Sequence, residues 1–476
     1  MDLASLHLHW TSKKRGEKEY RTYCLAQSVR TGDKVRKKIF CTLGSLTEDD
    51  VIFWKQSLLL YKQARKEGCS PNVLLEKAIS VKLPKKHDDY AEEDQNLDTQ
   101  LSESTKKAFV EVIDPREHDN LQYPFYGILL IILAATIASA KSIRAIHEYA
   151  HEKAGIFCSL LGINQMPGYM AFWWVLARTN PSLLNQAFIR WISSIANQLP
   201  ITGLKRISVD GKALRGAKRK AVHYVSAYED NRGLLLGQVK TEEKSNEITA
   251  IPELLKVVDV RGAVVTIDAM GCQRKIVEDI RERGGHYIIA LKGNQENLND
   301  EVQNFFEQAR DLKYEGVKCS RANAYNEGHG RKEIKNIVVT NDLGWLACRS
   351  DWKDLNTLVQ IRSIRTCKGK TTEEYRYYIS SKSMTAKEAG SIIRSHWAIE
   401  NKLHWVLDVF FHDDESRANI GHAAENLGLF RRMAYCLLKQ DTEGGQGLAS
   451  KQRKAMWNDE YVLDRLSAFI NQHCKS

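Results

Sequence analysis

The sequence predicts a mixed α/β protein, and three observations carry that reading. After Leu204 the elements run strand, strand, strand, helix, strand, helix, strand. Within that run "GAVVTID" (262–268) is apolar throughout, as a parallel strand covered on both faces must be. The preceding hundred or so residues show helical spacing without strand-like alternation. An antiparallel three-strand unit continued by right-handed strand-helix-strand crossovers is the ribonuclease H-like order. The expected fold is therefore a ribonuclease H-like core with a β-rich insertion, preceded by an all-α domain and a small basic α+β module.

Taken in order, residues 1–86 form that basic module. Two alternating runs flank Thr31-Gly32-Asp33-Lys34, which suits a β-hairpin, and a helix follows at about 48–67. Residues 87–104 are an acidic linker; "HDDYAEEDQNLDTQLSE" holds seven acids and no Lys or Arg. The helical domain spans 105–203 and includes "PSLLNQAFIRWISSIANQLP", bounded by Pro181 and Pro200. The core spans 204–440. "KRISVDG", "HYVSAYED" and "GLLLGQVK" are its first strands, the last two joined by Asp230-Asn231-Arg232-Gly233. A helix "IPELLKVVDV" follows, with Pro252 in its first turn. Then come "GAVVTID", the helix "CQRKIVEDIRERG" and the strand "HYIIALK". An insertion at about 296–384 opens with a helix and continues as short strands. One long helix then covers "TAKEAGSIIRSHWAIENKLHWVLDVFF", with Ile392, His396, Ile399, Leu403 and Leu407 on its packed face. Residues 441–476 are a partly helical tail.

Composition narrows the function classes. A 43% apolar and 27% charged chain with net charge +11 fits a soluble protein with a polyanionic partner, and most of the excess Lys and Arg falls in the N-terminal module. The ten cysteines form no CxxC pair, which argues against a zinc ribbon or a disulfide framework and for a cytoplasmic location. "LQYPFYGILLIILAATIASA" (121–140) is long enough to cross a bilayer, but Pro124 and Gly127 shorten its helix and an amphipathic segment continues it. A buried helix and no membrane association are expected.

Asp210 and Asp268 each end a strand. In the predicted sheet the first strand is central and "GAVVTID" lies beside it, so the two carboxylates become neighbours. Like charges so placed repel unless a cation sits between them. Mg²⁺ takes one or two carboxylates and keeps positions for water and phosphate oxygens, the arrangement phosphoryl transfer requires. The alternative for either residue is a plain helix cap. Glu400 lies in the late helix; Asp408, Asp413, Asp414 and Glu415 compete with it, and Asp408 is about 12 Å further along at 1.5 Å per residue.

The chain resembles the H-repeat-associated transposases of bacterial insertion sequences (the ISAs group), within the class with an Asp-Asp-Glu active site. "SVDGKALRG", "KSNEITAIPELL", "VTIDAMGCQ", "ALKGNQ", "GHGRKE", "YYISS" and "HWAIENKLHWVLDVFF" carry the likeness in one order, over about 105–440. The N-terminal stretch is similar to the start of other insertion-sequence transposases, as a fused module. The resemblance implies that Asp210, Asp268 and Glu400 are both catalytic and metal-binding, with Mg²⁺ as cofactor and Mn²⁺ able to replace it. It implies cleavage and strand transfer at element ends, double-stranded DNA as partner, and a homodimer that handles two ends. Lys212, Arg215, Lys292, His329 and Arg331 are the expected DNA contacts. The wider relatives' Tyr-x2-Arg-x3-Glu-x6-Lys signature is absent, since Ile393, His396, Glu400 and Leu407 occupy those positions. A noncatalytic DNA-binding descendant and a plain metal-dependent nuclease are the competing readings.

Overall fold

The computed structural model describes residues 6–15, 18–31, 34–44, 108–110, 112–116, 122–214, 222–241, 247–328, 330–416, 420–441 and 447–471, with 51, 55, 58 and 418. The acidic linker, most of the helix expected at 48–67, Arg215 and His329 lie outside the described residues. The chain divides into two compact units, residues 1–93 with 117–121, and residues 94–116 with 122–476.

The first unit contains a three-stranded antiparallel sheet of β1 (Leu6–Arg15), β2 (Lys18–Thr31) and β3 (Lys34–Gly44), in that order. The expected hairpin is β2–β3, with Thr31 opposite Lys34. "LHLHWTSKKR" adds a third strand that the charge run at its end obscures. Arg21 lies 4.6 Å above the Trp10 ring, and Lys37 Nζ is 3.0 Å from His9 Nδ1.

From Phe125 the described residues of the second unit run through five helices, α1 (Phe125–Ile137), α2 (Ile143–Glu152), α3 (Ala154–Leu161), α4 (Tyr169–Arg178) and α5 (Pro181–Gln198). Asn180 caps α5 by accepting from Ser182 N–H at 2.9 Å, and Pro181 occupies the first turn, where its missing donor costs nothing. The apolar helix α1 is buried at every residue but Tyr126. Among the described residues no helix is long and apolar enough to cross a membrane.

A nine-stranded mixed sheet follows. Its strands are β4 (Arg206–Leu214), β5 (Val222–Glu229), β6 (Leu234–Thr241), β7 (Val264–Ile267), β8 (His286–Leu291), β9 (Cys319–Gly328), β10 (Arg331–Thr340), β11 (Thr357–Cys367) and β12 (Lys370–Ser380). The spatial order is β6-β5-β4-β7-β8-β12-β11-β10-β9. β4, β7 and β8 run parallel, so β4 and β7 are adjacent as the sequence predicts. The insertion strands continue the same sheet, because β12 pairs antiparallel with β8.

Helices α6 (Glu247–Val257), α7 (Arg274–Glu282) and α8 (Glu296–Asp311) connect these strands. α6 starts four residues before the expected first residue, Ile251, so Pro252 falls inside the helix rather than in its first turn. The late helix is not continuous either. α9 (Ala386–Ala398) passes into a π-helical turn at Ile399–His404 and then α10 (Trp405–Phe411). The chain closes with α11 (Ala423–Gln440), α12 (Leu448–Trp457) and α13 (Asp459–Asn471).

Alternation along the strands sorts the two faces of the sheet. Ile207, Val209, Val265, Ile267, Tyr287 and Ile289 face one large core shared with α1, α5, α6, α7 and α11. Val264, Ile288, Ile337, Val359 and Ile361 face a smaller core closed by Ala386, Ala389, Ile392 and Ile393 of α9. The candidate site lies on that second face.

Candidate active site

The β4–β7 register sets the site. Ser208 pairs with Thr266 and Val209 with Ile267, the last pair of the ladder, and Asp210 and Asp268 are the residues that follow it on the two strands. Side chains two residues apart share a face, which puts both aspartates above Ser208 and Thr266 on the α9 side. A hydroxyl chain ties that floor together. Thr266 Oγ1 donates to Ser208 Oγ at 3.2 Å, Ser208 Oγ reaches Ser395 O at 3.4 Å, and Thr266 Oγ1 is 3.0 Å from His396 Nδ1. The strands and α9 are thus fixed directly beneath the carboxylates.

Asp268 is a cap and more than a cap. Its Oδ1 accepts from Met270 N–H at 3.0 Å and Gly271 N–H at 3.4 Å, holding the short turn Ala269–Gly271. The "ALKGNQ" motif braces this turn, with Asn294 Nδ2 donating to Ala269 O and Gln295 Nε2 to Cys272 O, both at 2.8 Å.

Glu400 is exposed at the start of the π-helical turn. A π turn bonds residues five apart, and Trp405 N–H donates to Glu400 O accordingly. Two contacts hold this less favourable turn: Tyr435 Oη of α11 donates to Lys402 O at 2.9 Å, and Lys402 Nζ reaches Asp230 Oδ1 at 2.6 Å. The same turn aims His404 at the site, its Nδ1 3.5 Å from Asp210 Oδ2.

Electrostatics join these groups. Burial pushes the Asp210 carboxyl up to about 7, and the charges of Glu247, Glu400 and Asp268 add to the rise against the Gly211 N–H. Burial pushes His404 down to about 3, helped by the Lys212 and Arg432 charges, so the imidazole beside Asp210 is neutral. Among the described residues no Lys or Arg pairs with Asp210, Asp268 or Glu400. The competing acids are all engaged elsewhere: Asp408 with Lys212 at 2.6 Å, Asp413 with Arg431 at 2.9 Å, Asp414 with Lys212 at 3.8 Å, and Glu415 with His412 at 2.8 Å.

The sequence-derived DNA contacts separate. Lys212 is only 8% exposed and holds Asp408, tying β4 to α10 instead of facing solvent. Lys292 is exposed at the end of β8. Arg331 belongs to a cationic group on the α9 face of β10–β12 that sequence reasoning missed. Arg331, Lys335 and Arg365 share one buried acid, Glu333, at 3.4, 3.8 and 3.6 Å. Burial and the charges of Arg394, Arg376 and Arg331 lower the Lys335 ammonium despite Glu333. Arg376 in turn lies 5.9 Å above the ring of Trp397, three residues from Glu400. Strand alternation at positions 331, 333 and 335 was the available signal.

Among the described residues no three His, Cys, Asp or Glu side chains already converge as a metal cage. The donor set nevertheless suits a hard divalent cation, because unneutralised carboxylates crowd one strand end, and Mg²⁺ takes one or two of them while keeping waters.

Residues 200–437 match the family described as "Transposase DDE domain", residues 106–192 one described as "DDE_Tnp_1-associated", and residues 8–71 "IS1634 family transposase, N-terminal domain". The chain is 36% identical over 376 residues to "Putative transposase YncI" of Escherichia coli O157:H7, a match covering 76% of this chain and 94% of that one. It is 35% identical over 368 residues to "H repeat-associated putative transposase YhhI" of Escherichia coli strain K12, covering 74% and 95%. A solved piggyBac transposase synaptic complex with hairpin DNA aligns with 80% of this chain and 82% of its own at 9% identity and a TM-score of 0.39, too slight a likeness to bear on fold or function.

Proposed function

The chain belongs to the insertion-sequence transposases of the DDE class, and on that premise we propose that it cuts and joins DNA at the ends of its own element. The reading takes the sheet as a ribonuclease H-like core, with Asp210, Asp268 and Glu400 holding a divalent cation, Mg²⁺ or Mn²⁺. The observation that carries it is the register that aligns Asp210 with Asp268, with Glu400 acting on Asp210 from the helix over the same face. A cation bound there would supply charge neutralisation and polarisation of the phosphodiester.

The chain's own residues have separate tasks. Asp268 is oriented by its two backbone donors. Neutral His404 orients Asp210 by turning Nδ1–H toward Oδ2, without adding a positive charge that would compete for the carboxylate. Lys212 holds Asp408 out of the site. Lys292, Arg331, Lys335, Arg365, Arg376 and Arg394 offer a track for the DNA backbone leading to Glu400, and Arg215 and His329, outside the described residues, are proposed as DNA contacts on sequence grounds alone. The basic module at 1–86, joined through the linker at 87–104, is a further DNA contact, and two chains act on two ends.

The test is incubation of wild type and Asp268→Asn with a labelled duplex carrying the element's end and Mg²⁺. The expected outcome is cleaved and joined product with wild type only. Equal binding without cleavage by either protein would support a noncatalytic descendant, and cleavage without joining would support a nuclease.

A further inference from the structure

Glu247 has no part in the reading above, yet its carboxylate lies against Gly211, the residue after Asp210, and its charge acts on both aspartates. It is the first residue of α6, which packs on the sheet face opposite α9. Gly211 follows Asp210 on β4, and alternation turns its missing side chain to that opposite face. A Cβ at Gly211 would lie 2.0 Å from Glu247 Oε1 and 2.5 Å from Glu247 Cδ. The space of the absent methyl is therefore filled by the carboxylate. Gly211 does not have a positive φ, so backbone conformation is not the reason for a glycine there.

The β4–β7 ladder ends at Val209–Ile267, so the sheet is open beside Gly211. Through this opening Glu247 acts on both neighbours. Its charge is the largest of the carboxylate contributions raising Asp210, and the Asp268 charge, after burial, raises Glu247 itself. An acid in a first turn is ordinarily explained by the helix dipole. That explanation needs no glycine on a neighbouring strand, and it leaves the acid in water rather than half-buried, with the Asp268 charge raising its pKa and His223 lowering it. The early start of α6, ahead of Pro252, is what brings Glu247 into place.

We propose that Glu247 is a fourth carboxylate of the active site, admitted beside Asp210 by the glycine at 211, and that it helps bind the divalent cation; this rests on the transposase reading. The test is Mn²⁺ binding to the full chain without DNA, measured by calorimetry and by electron paramagnetic resonance, with melting temperature recorded in the presence and absence of the ion. The proteins are wild type, Glu247→Gln, Gly211→Ala, Asp210→Asn and Asp268→Asn. Glu247→Gln keeps the side-chain shape, and Gly211→Ala displaces the carboxylate without removing it. Each should weaken Mn²⁺ binding about ten- to hundredfold, the range for groups that tune a metal site, while the metal-free melting temperature of Glu247→Gln does not fall. Wild-type affinity in Glu247→Gln, with loss in Asp210→Asn, would overturn the proposal and leave the triad standing. Wild-type affinity in Asp210→Asn and Asp268→Asn as well would remove both.

Discussion

Asp413, in the turn after α10, has Arg431 Nη1 2.9 Å from one oxygen and Arg432 Nη1 3.3 Å from the other, whereas Asp210 on β4 faces a neutral imidazole and three further acids. Both carboxylates are largely withdrawn from water. Asp413 is neutralised within the chain, and Arg431 also bonds Lys141 O at 3.2 Å, so this carboxylate joins the turn, α11 and the loop after α1. Asp210 is left with its charge uncompensated. Burial therefore does not distinguish a working acid from a structural one; the missing counter-charge does, because it costs stability that only an added cation returns.

Substitutions can break this contrast. The largest effect is expected from Asp210→Asn, with end cleavage falling at least about 10³-fold. Its melting temperature in metal-free buffer should nevertheless exceed wild type. The folded-state pKa of about 7 lies above the ordinary carboxylate value, so the folded chain binds more protons than the unfolded one between the two, and stability is lost as pH rises through that window. The gap between variant and wild type should then widen from about pH 5 to about pH 8. A lower melting temperature would place Asp210 with Asp413.

Asp413→Asn should do the reverse and destabilise by about 3–5 kcal/mol in urea titration, because two buried guanidiniums lose their partner. An unchanged midpoint would remove the contrast from the other side. Lys335→Gln and Arg394→Gln should each lower the salt slope of duplex binding by about 1, uniformly across DNA sequences. Unaltered slopes would mean that this excess charge meets no phosphate. The smallest effect is expected from Tyr435→Phe, about 1 kcal/mol from the lost bond to Lys402 O, with a modest fall in cleavage as the π turn loosens.

The strand order around Asp210 and Asp268 was legible because buried parallel strands and their helices leave continuous apolar runs and clear periods. The joining of β9–β12 to β8 was not, since antiparallel hairpins carry local turn signals but no mark of their outer partner. Lys212 resembled a surface cation because its partner, Asp408, is 196 residues away. Glu247 was hidden by Pro252, which reads as a first-turn residue and so set the expected helix to begin at Ile251. The π turn that aims Glu400 and His404 also escaped notice, because Tyr435, which holds it, lies on a helix 33 residues from Lys402.

The apolar helix α1 packs against α11, which begins 286 residues after α1 ends. On the ribosome, at about 5–20 residues per second, this surface waits roughly 15–60 s for its cover. An interrupted copy of the gene would thus yield chains in which α2 and α4 cover part of this greasy helix and its α11 face stays bare, a target for chaperones and proteases.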